Sequence, residues 1–194
     1  MKFEYATGAT PLDPDEIAGL IPSHISTQGE LNEWEAQNIL NAEKWLFEST
    51  LNKNILTLDF TKLLHKKMFG DTWKWAGKFR TTERNIGVTP FNISSDLNNL
   101  LEDIRYQITY NSFPFDEIAY RFHHRLVAIH PFPNGNGRHS RLMTDLLLIQ
   151  AGKSRFTWGN KRLEAEGPVR NKYIEALREA DKHSYSALAT FVRA

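Results

Sequence analysis

The sequence predicts a mostly α protein: an orthogonal helical bundle carrying one small β-hairpin. Apolar residues recur near a 3.6-residue period in several windows of 12–20 residues, each bounded by proline, glycine or a capping residue. No alternating strand–helix series is present, which argues against a doubly wound sheet. Only residues 78–91, "KFRTTERNIGVTPF", read as a pair of short β-prone pieces flanking a turn.

Residues 1–29 hold Pro11, Pro14 and Pro22 and read as an irregular arm, with residues 30–194 forming one domain. From Glu30 to about Thr50, Leu31, Trp34, Ile39, Trp45 and Leu46 repeat with helical spacing. A second helix covers Asp59 to Phe69 and stops at Gly70. A third follows Ser94 or Ser95 as N-cap and runs to about Tyr110, with Leu97, Leu100, Leu101, Ile104 and Ile108 on one side. The fourth, "PFDEIAYRFHHRLVAIHP", turns Ile118, Phe122, Leu126 and Ile129 inward and ends at Pro131 and Pro133. "RLMTDLLLIQAG" has no clean polar face, so it predicts a central buried helix with Gly152 as its stop. Two more helices span 168–181 and 184–193.

The 194 residues suffice for a real core, and 41% hydrophobic with 24% charged residues is an ordinary soluble composition. The net charge of +1 argues against a dedicated nucleic-acid binder, including a helix-turn-helix DNA reader. The absence of cysteine excludes disulfides, thiolate zinc sites and thiol catalysis, and fits a cytoplasmic setting. No secretory signal and no membrane span are expected, because the longest apolar run, "LMTDLLLI", is broken by Asp145.

The chemistry concentrates in "HPFPNGNGRHSR", residues 130–141. Cations near a helix N-terminus are unfavourable by roughly 0.3–1 kcal/mol each, so two arginines there imply a use for positive potential. Asn134-Gly135-Asn136-Gly137 is a turn-forming run leading into a helix, whose free amides make an anion nest. Arg138 and Arg141 are three apart and can face one side, as a polyphosphate would require. His130, at the end of the preceding helix, is placed to accept a proton from a hydroxyl. His123, His124, His130 and His139 lack the spacing of a helical zinc site. The five tryptophans are dispersed and read as packing residues. The charges of "KFRTTER" read as a solvated face.

"HPFPNGNGRHSR" resembles the Fic family signature, His-x-Phe-x-Asp/Glu-Gly-Asn-Gly/Lys-Arg-x-x-Arg, at seven of its eight specified positions. The flanking "WAGKFRTTERNIGVTP" and "TWGNKRLEAEGPVRNKYIEALREAD" are similar to the branch called mobile mystery protein B. The resemblance implies a Fic-type helical bundle and adenylyl transfer, in which AMP passes from ATP to a hydroxyl side chain of a target protein. It implies His130 as base and Phe132 as the residue packing the loop. It also implies Gly135, Asn136 and Gly137 as the phosphate cradle, with Arg138 and Arg141 on the outer phosphates. The hairpin near residues 83–89 becomes a flap that docks the target backbone. Asn134 stands where the family has an acid for Mg2+ or Mn2+, so a metal would be weakly held. An alternative is therefore a weakened nucleotide- or anion-binding module, or transfer of phosphate, UMP or phosphocholine. Many relatives restrain an arginine with a Ser/Thr-x-x-x-Glu-Gly/Asn helix. Here Ser26 and Glu30 have the spacing, Leu31 breaks the last position, and Glu33 and Glu35 are alternatives; Arg141 is the expected partner. The branch also implies a small helix-turn-helix partner protein in a toxin–antitoxin-like arrangement.

Overall fold

The computed structural model describes residues 13–49, 53–160, 163 and 167–194. The first twelve residues of the expected arm and the expected helix end at Thr50 lie outside them. Eight α-helices are present among the described residues: α1 (Pro14–Ile17), α2 (Gln28–Ser49), α3 (Leu58–Phe69), α4 (Ile93–Thr109), α5 (Phe115–Ile129), α6 (Asn136–Gln150), α7 (Pro168–Asp181) and α8 (Ser186–Val192).

Their ends follow from local chemistry. Thr57 caps α3 by accepting the Phe60 amide at 3.1 Å. Gly152 takes the left-handed conformation (φ 69), and the Lys153 amide reaches back to Leu148 O, closing α6 as expected. α4 starts at Ile93, two or three residues earlier than expected, because a 3-10 turn at Pro90–Asn92 leads into it.

α6 is the central element, with ten of its fifteen residues buried, Leu142, Met143 and Leu146–Leu148 among them. It packs along α5 and against α3. The larger core joins α2 to α6 through residues such as Leu46, Leu64, Met68, Leu97, Phe122 and Met143. A second cluster unites Leu148, Phe156, Trp158, Tyr173, Leu188 and Phe191 under α7 and α8. Of the tryptophans, Trp73 and Trp158 are core residues, whereas Trp34 stays exposed.

The expected hairpin is absent: residues 78–91 form no strand, and the one isolated bridge among the described residues joins Leu20 to Trp73. The two arms bond to the α5–α6 connection instead of to each other. The Arg80 amide donates to Pro131 O at 3.0 Å and the Val88 amide to Ile129 O at 3.3 Å. The charges here are only in part a solvated face: Lys78 and Glu83 are exposed, but the two arginines are not. Arg80 is 3% exposed, and the Arg84 side chain is 4% exposed.

Candidate active site

The site is the connection between α5 and α6. Pro131 disfavours helical geometry at the residue before it. His130 accordingly leaves α5 in the left-handed region (φ 54, ψ 59), a conformation that costs a non-glycine residue roughly 1–2 kcal/mol. Its amide still closes the helix on Leu126 O at 3.3 Å. The chain re-enters a helix through Gly135, at φ 77. A Cβ there would also lie 2.6 Å from the Phe69 ring, so glycine is required twice over.

The connection is held shut from inside. Asn136 is 3% exposed, and its amide group brackets Phe132: the Phe132 N–H donates to Oδ1 at 2.9 Å, and Nδ2 donates to Phe132 O at 2.8 Å. Phe132 is fully buried and stacks on His65, ring centres 3.7 Å apart. His65 is a neutral strut. The Gly77 amide donates to Nδ1 at 3.0 Å, which leaves the ring proton on Nε2 for Asn134 O at 3.1 Å. Burial pushes its pKa well below the usual imidazole range, with the charges of His139 and Arg138 adding to the effect.

Arg80 braces the outer side. Nε donates to His130 O at 2.7 Å, Nη1 to Thr82 O at 2.9 Å, and Nη2 to Val88 O and Ile129 O. One buried guanidinium thus ties the 82–88 segment to the backbone beneath His130. Gly87 lets it do so, since a Cβ at its φ of 109 would sit 2.6 Å from Arg80 Nη2 and 2.7 Å from His130 Cβ.

His130 itself is 6% exposed. Burial lowers its pKa to about 4, and the guanidiniums of Arg80 and Arg84 add to the shift; a backbone hydrogen bond at Val127 opposes it. At neutral pH the ring is uncharged and able to take a proton. Beyond it, the first bond of the α6 ladder runs from the His139 amide to Gly135 O at 2.9 Å. The amides of Asn136, Gly137 and Arg138 therefore precede the ladder, the arrangement that suits an anion. Gly137 is open on its Cβ side, with Arg141 Nη1 the nearest atom at 3.7 Å.

Arg138 and Arg141 do converge. Both line a cavity of about 270 Å³, together with Leu142, Asp145, Arg155 and Trp158. Arg138 also stacks over Phe69 at 4.8 Å. Arg141 hydrogen-bonds to the Tyr173 hydroxyl, which in turn meets His123 Nε2 at 2.8 Å. Below the cavity, Asp145 takes hydrogen bonds from Trp158 Nε1 at 3.0 Å and Arg155 Nε at 2.9 Å. His123 and His124 are both buried, and His124 Nε2 meets Asp181 at 2.8 Å.

The three candidate restraining glutamates separate clearly. Glu30 is exposed and caps its own helix, accepting from the Ser26 and Thr27 amides at 2.7 and 3.0 Å. Glu33 is exposed. Glu35 is 6% exposed and reaches the loop, where it accepts from Arg138 Nη1 at 2.7 Å while its other oxygen takes Trp73 Nε1 at 2.7 Å. The arginine held by Glu35 is thus Arg138, one helical turn before the expected Arg141. Arg138 lies nearer the α6 N-terminus, within reach of the buried face of α2.

Asn134 does not offer a metal a vacant oxygen. Its Oδ1 accepts from the Gly135 amide at 2.5 Å and from Arg138 Nη2 at 3.5 Å. Among the described residues no three His, Asp or Glu side chains converge as a metal site. A hard dication takes carboxylate and other anionic oxygens, and the residues present do not fit it.

Sequence reasoning missed His65 and Arg80. His65 had a signal: it falls on the apolar face of α3 with Phe60, Thr61, Leu64, Met68 and Phe69. Arg80 had none, because its partners are backbone carbonyls.

A buried, uncharged imidazole, three amides ahead of a helix ladder and two arginines on one cavity wall thus mark the connection between two helices of a mostly α domain. The chain belongs to the Fic/DOC family, whose model matches residues 55–148. It is similar to a protein adenylyltransferase Fic of Aedes aegypti, 32% identical over 156 residues, which are 78% of this chain and 30% of that protein. It is also similar to protein adenylyltransferase fic-1 of Caenorhabditis elegans, 28% identical over 102 residues, 50% of this chain and 20% of that one. The chain thus spans less than a third of these relatives' length. Among solved structures, C. elegans Fic-1 (residues 134–508) superposes with a TM-score of 0.69 at 25% identity, covering 91% of this chain and 51% of that one. The BepC effector protein of Bartonella tribocorum, solved with bound AMPPNP, shares the fold at a TM-score of 0.72 and 16% identity, covering 93% and 97%.

Proposed function

We propose that this chain is a protein adenylyltransferase that moves AMP from ATP to a hydroxyl side chain of a target protein. The observation that carries the reading is the neutral, buried His130 at one end of a connection whose other end carries the amides of Asn136, Gly137 and Arg138. His130 takes the hydroxyl proton as the oxygen attacks the α-phosphorus. A phosphorus–oxygen bond forms to the target and the bond to the β-phosphate breaks, so pyrophosphate leaves. The helix amides and Arg138 and Arg141 carry the charge of the departing phosphates. Such catalysis is mostly positioning, which suits a loop braced by Asn136, His65 and Arg80. Glu35 competes with phosphate for Arg138, so the arrangement with Glu35 bound is a resting state. The adenylyltransferase activity of the similar Aedes aegypti and C. elegans proteins supports ATP as the substrate. No described helix is long and apolar enough to cross a membrane, and the absence of cysteine suits a cytoplasmic enzyme.

The test uses ATP labelled at the α- or at the γ-phosphate, incubated with the protein and a cell lysate. Adenylyl transfer marks protein with the α-label alone. Marking by the γ-label would point instead to phosphate transfer, and retention of unreacted ATP with no marking would leave only a binding module.

A further inference from the structure

The segment 82–84 is already occupied, and its occupant says what it recognises. Arg84 is buried to 4% side-chain exposure without a backbone ladder to hold it. Its Nη1 donates to Asp13 Oδ2 at 2.7 Å and its Nη2 to Glu16 Oε1. Thr82 Oγ1 adds a third bond to Asp13 at 3.1 Å. The two acids belong to the arm, Asp13 as the N-cap of α1 and Glu16 in its first turn, and each also caps the other's backbone. Arg84 Nε is buried and has no acceptor among the described residues. The guanidinium thus has two carboxylates and one N–H without an acceptor among the described residues.

The arm is also seated by apolar packing, with Ile17 and Leu20 against the larger core, Ile25 inside it and Leu20 bridged to Trp73. Trp75 Nε1 donates to Glu16 O at 3.0 Å, the Ile21 amide to Thr72 O at 2.8 Å and the Lys74 amide to Gly19 O at 2.9 Å. Gly19 makes the close approach possible, since a Cβ there would lie 2.8 Å from Trp75 Cδ1. Directly beyond the occupied edge, Ile86 is 43% exposed.

We infer that the Thr82–Arg84 edge is a docking point for an acidic segment of the target protein, and that the arm's Asp13 and Glu16 are its intrachain occupant. A forked guanidinium beside a hydroxyl selects paired carboxylates over single or neutral side chains. The Arg80 guanidinium joins Thr82 O to His130 O, so a target docked at this edge lies one side chain from the base. Because the arm is tethered, it competes at high effective concentration, and a target must displace it. The inference deepens the docking part of the proposed function but does not require that transfer occur.

The test is binding, without nucleotide. The probe is a fluorescein-labelled peptide DPDEIAGLIP, which carries no hydroxyl, with NPNQIAGLIP, in which all three acids become amides, as its neutral control. The arm-released variant Asp13→Asn/Glu16→Gln/Gly19→Ala binds the acidic peptide about tenfold tighter than the wild type does, because the tethered competitor is gone. Adding Arg84→Ala abolishes that gain, and the neutral peptide binds neither protein. Should the triple variant lose its helical circular dichroism, Asp13→Asn/Glu16→Gln, which adds no atoms, reads the same difference. Equal binding of acidic and neutral peptides, binding that survives loss of Arg84, or no gain in a folded arm-released variant each overturns the inference.

Discussion

Acid should unfold this protein well above the carboxylate range, because four imidazoles are buried around the site. Burial lowers the pKa values of His130 and His139 to about 4 and that of His123 to about 3, from 6.5, and pushes His65 well below as well. The folded rings hold a proton less tightly than the unfolded ones. Their contribution is complete above about pH 6.5 and is lost as pH falls toward about 4. At about pH 5 an unfolded histidine is nearly all protonated, whereas these three are nearly all neutral. That difference amounts to about 2 kcal/mol each, or about 6 kcal/mol for the three. A domain of this kind has only about 5–15 kcal/mol in total. Urea unfolding followed by circular dichroism at pH 7.5 and pH 5 measures the loss directly. His139→Gln, whose amide can still donate to Thr61 O, should reduce the loss by about a third. Equal stability at both pH values, or a transition confined to the carboxylate range near 3.8, would refute the reasoning.

Three further outcomes follow from the loop. Asn136→Ala strips partners from both the N–H and the C=O of buried Phe132, so urea unfolding should register a loss of about 2–5 kcal/mol. Glu35→Gln keeps an oxygen for Trp73 but releases the charge on Arg138, so labelled-ATP turnover should rise several-fold by about 1 kcal/mol of relieved competition; unchanged turnover would remove Glu35 as a restraint. Asn134→Asp supplies the carboxylate that the loop lacks, so calorimetry with magnesium alone should register binding to the variant and none to the wild type.

The helices were legible because their signals are local. Gly70, Gly152 and the pair Pro131 and Pro133 mark ends that the structure keeps, and the lack of a clean polar face on α6 announced its central place. His130, Arg138 and Arg141 were legible because a turn between two helices brings sequence neighbours together. What failed was long-range. The β-prone pieces at 78–91 were read as partners of each other, but their amides found Ile129 O and Pro131 O. Arg80 and Arg84 look like surface charges until the carbonyls of the loop and the acids of the arm are placed against them. Glu35 could not be separated from Glu30 and Glu33 by spacing alone, since only the packing of α2 decides which one faces Arg138. Asn136 shows a subtler shift. The motif marks it for the phosphate cradle, yet its side chain is spent on Phe132, leaving its amide to face an anion.

The central claim is that uncharged His130 removes the proton from the attacking hydroxyl. Single-turnover transfer of α-labelled AMP by wild-type protein and His130→Ala at pH 7 measures it most directly. The account predicts a loss of at least about a hundredfold in the variant, the usual scale for a missing general base. Transfer by the alanine variant at the wild-type rate would contradict it.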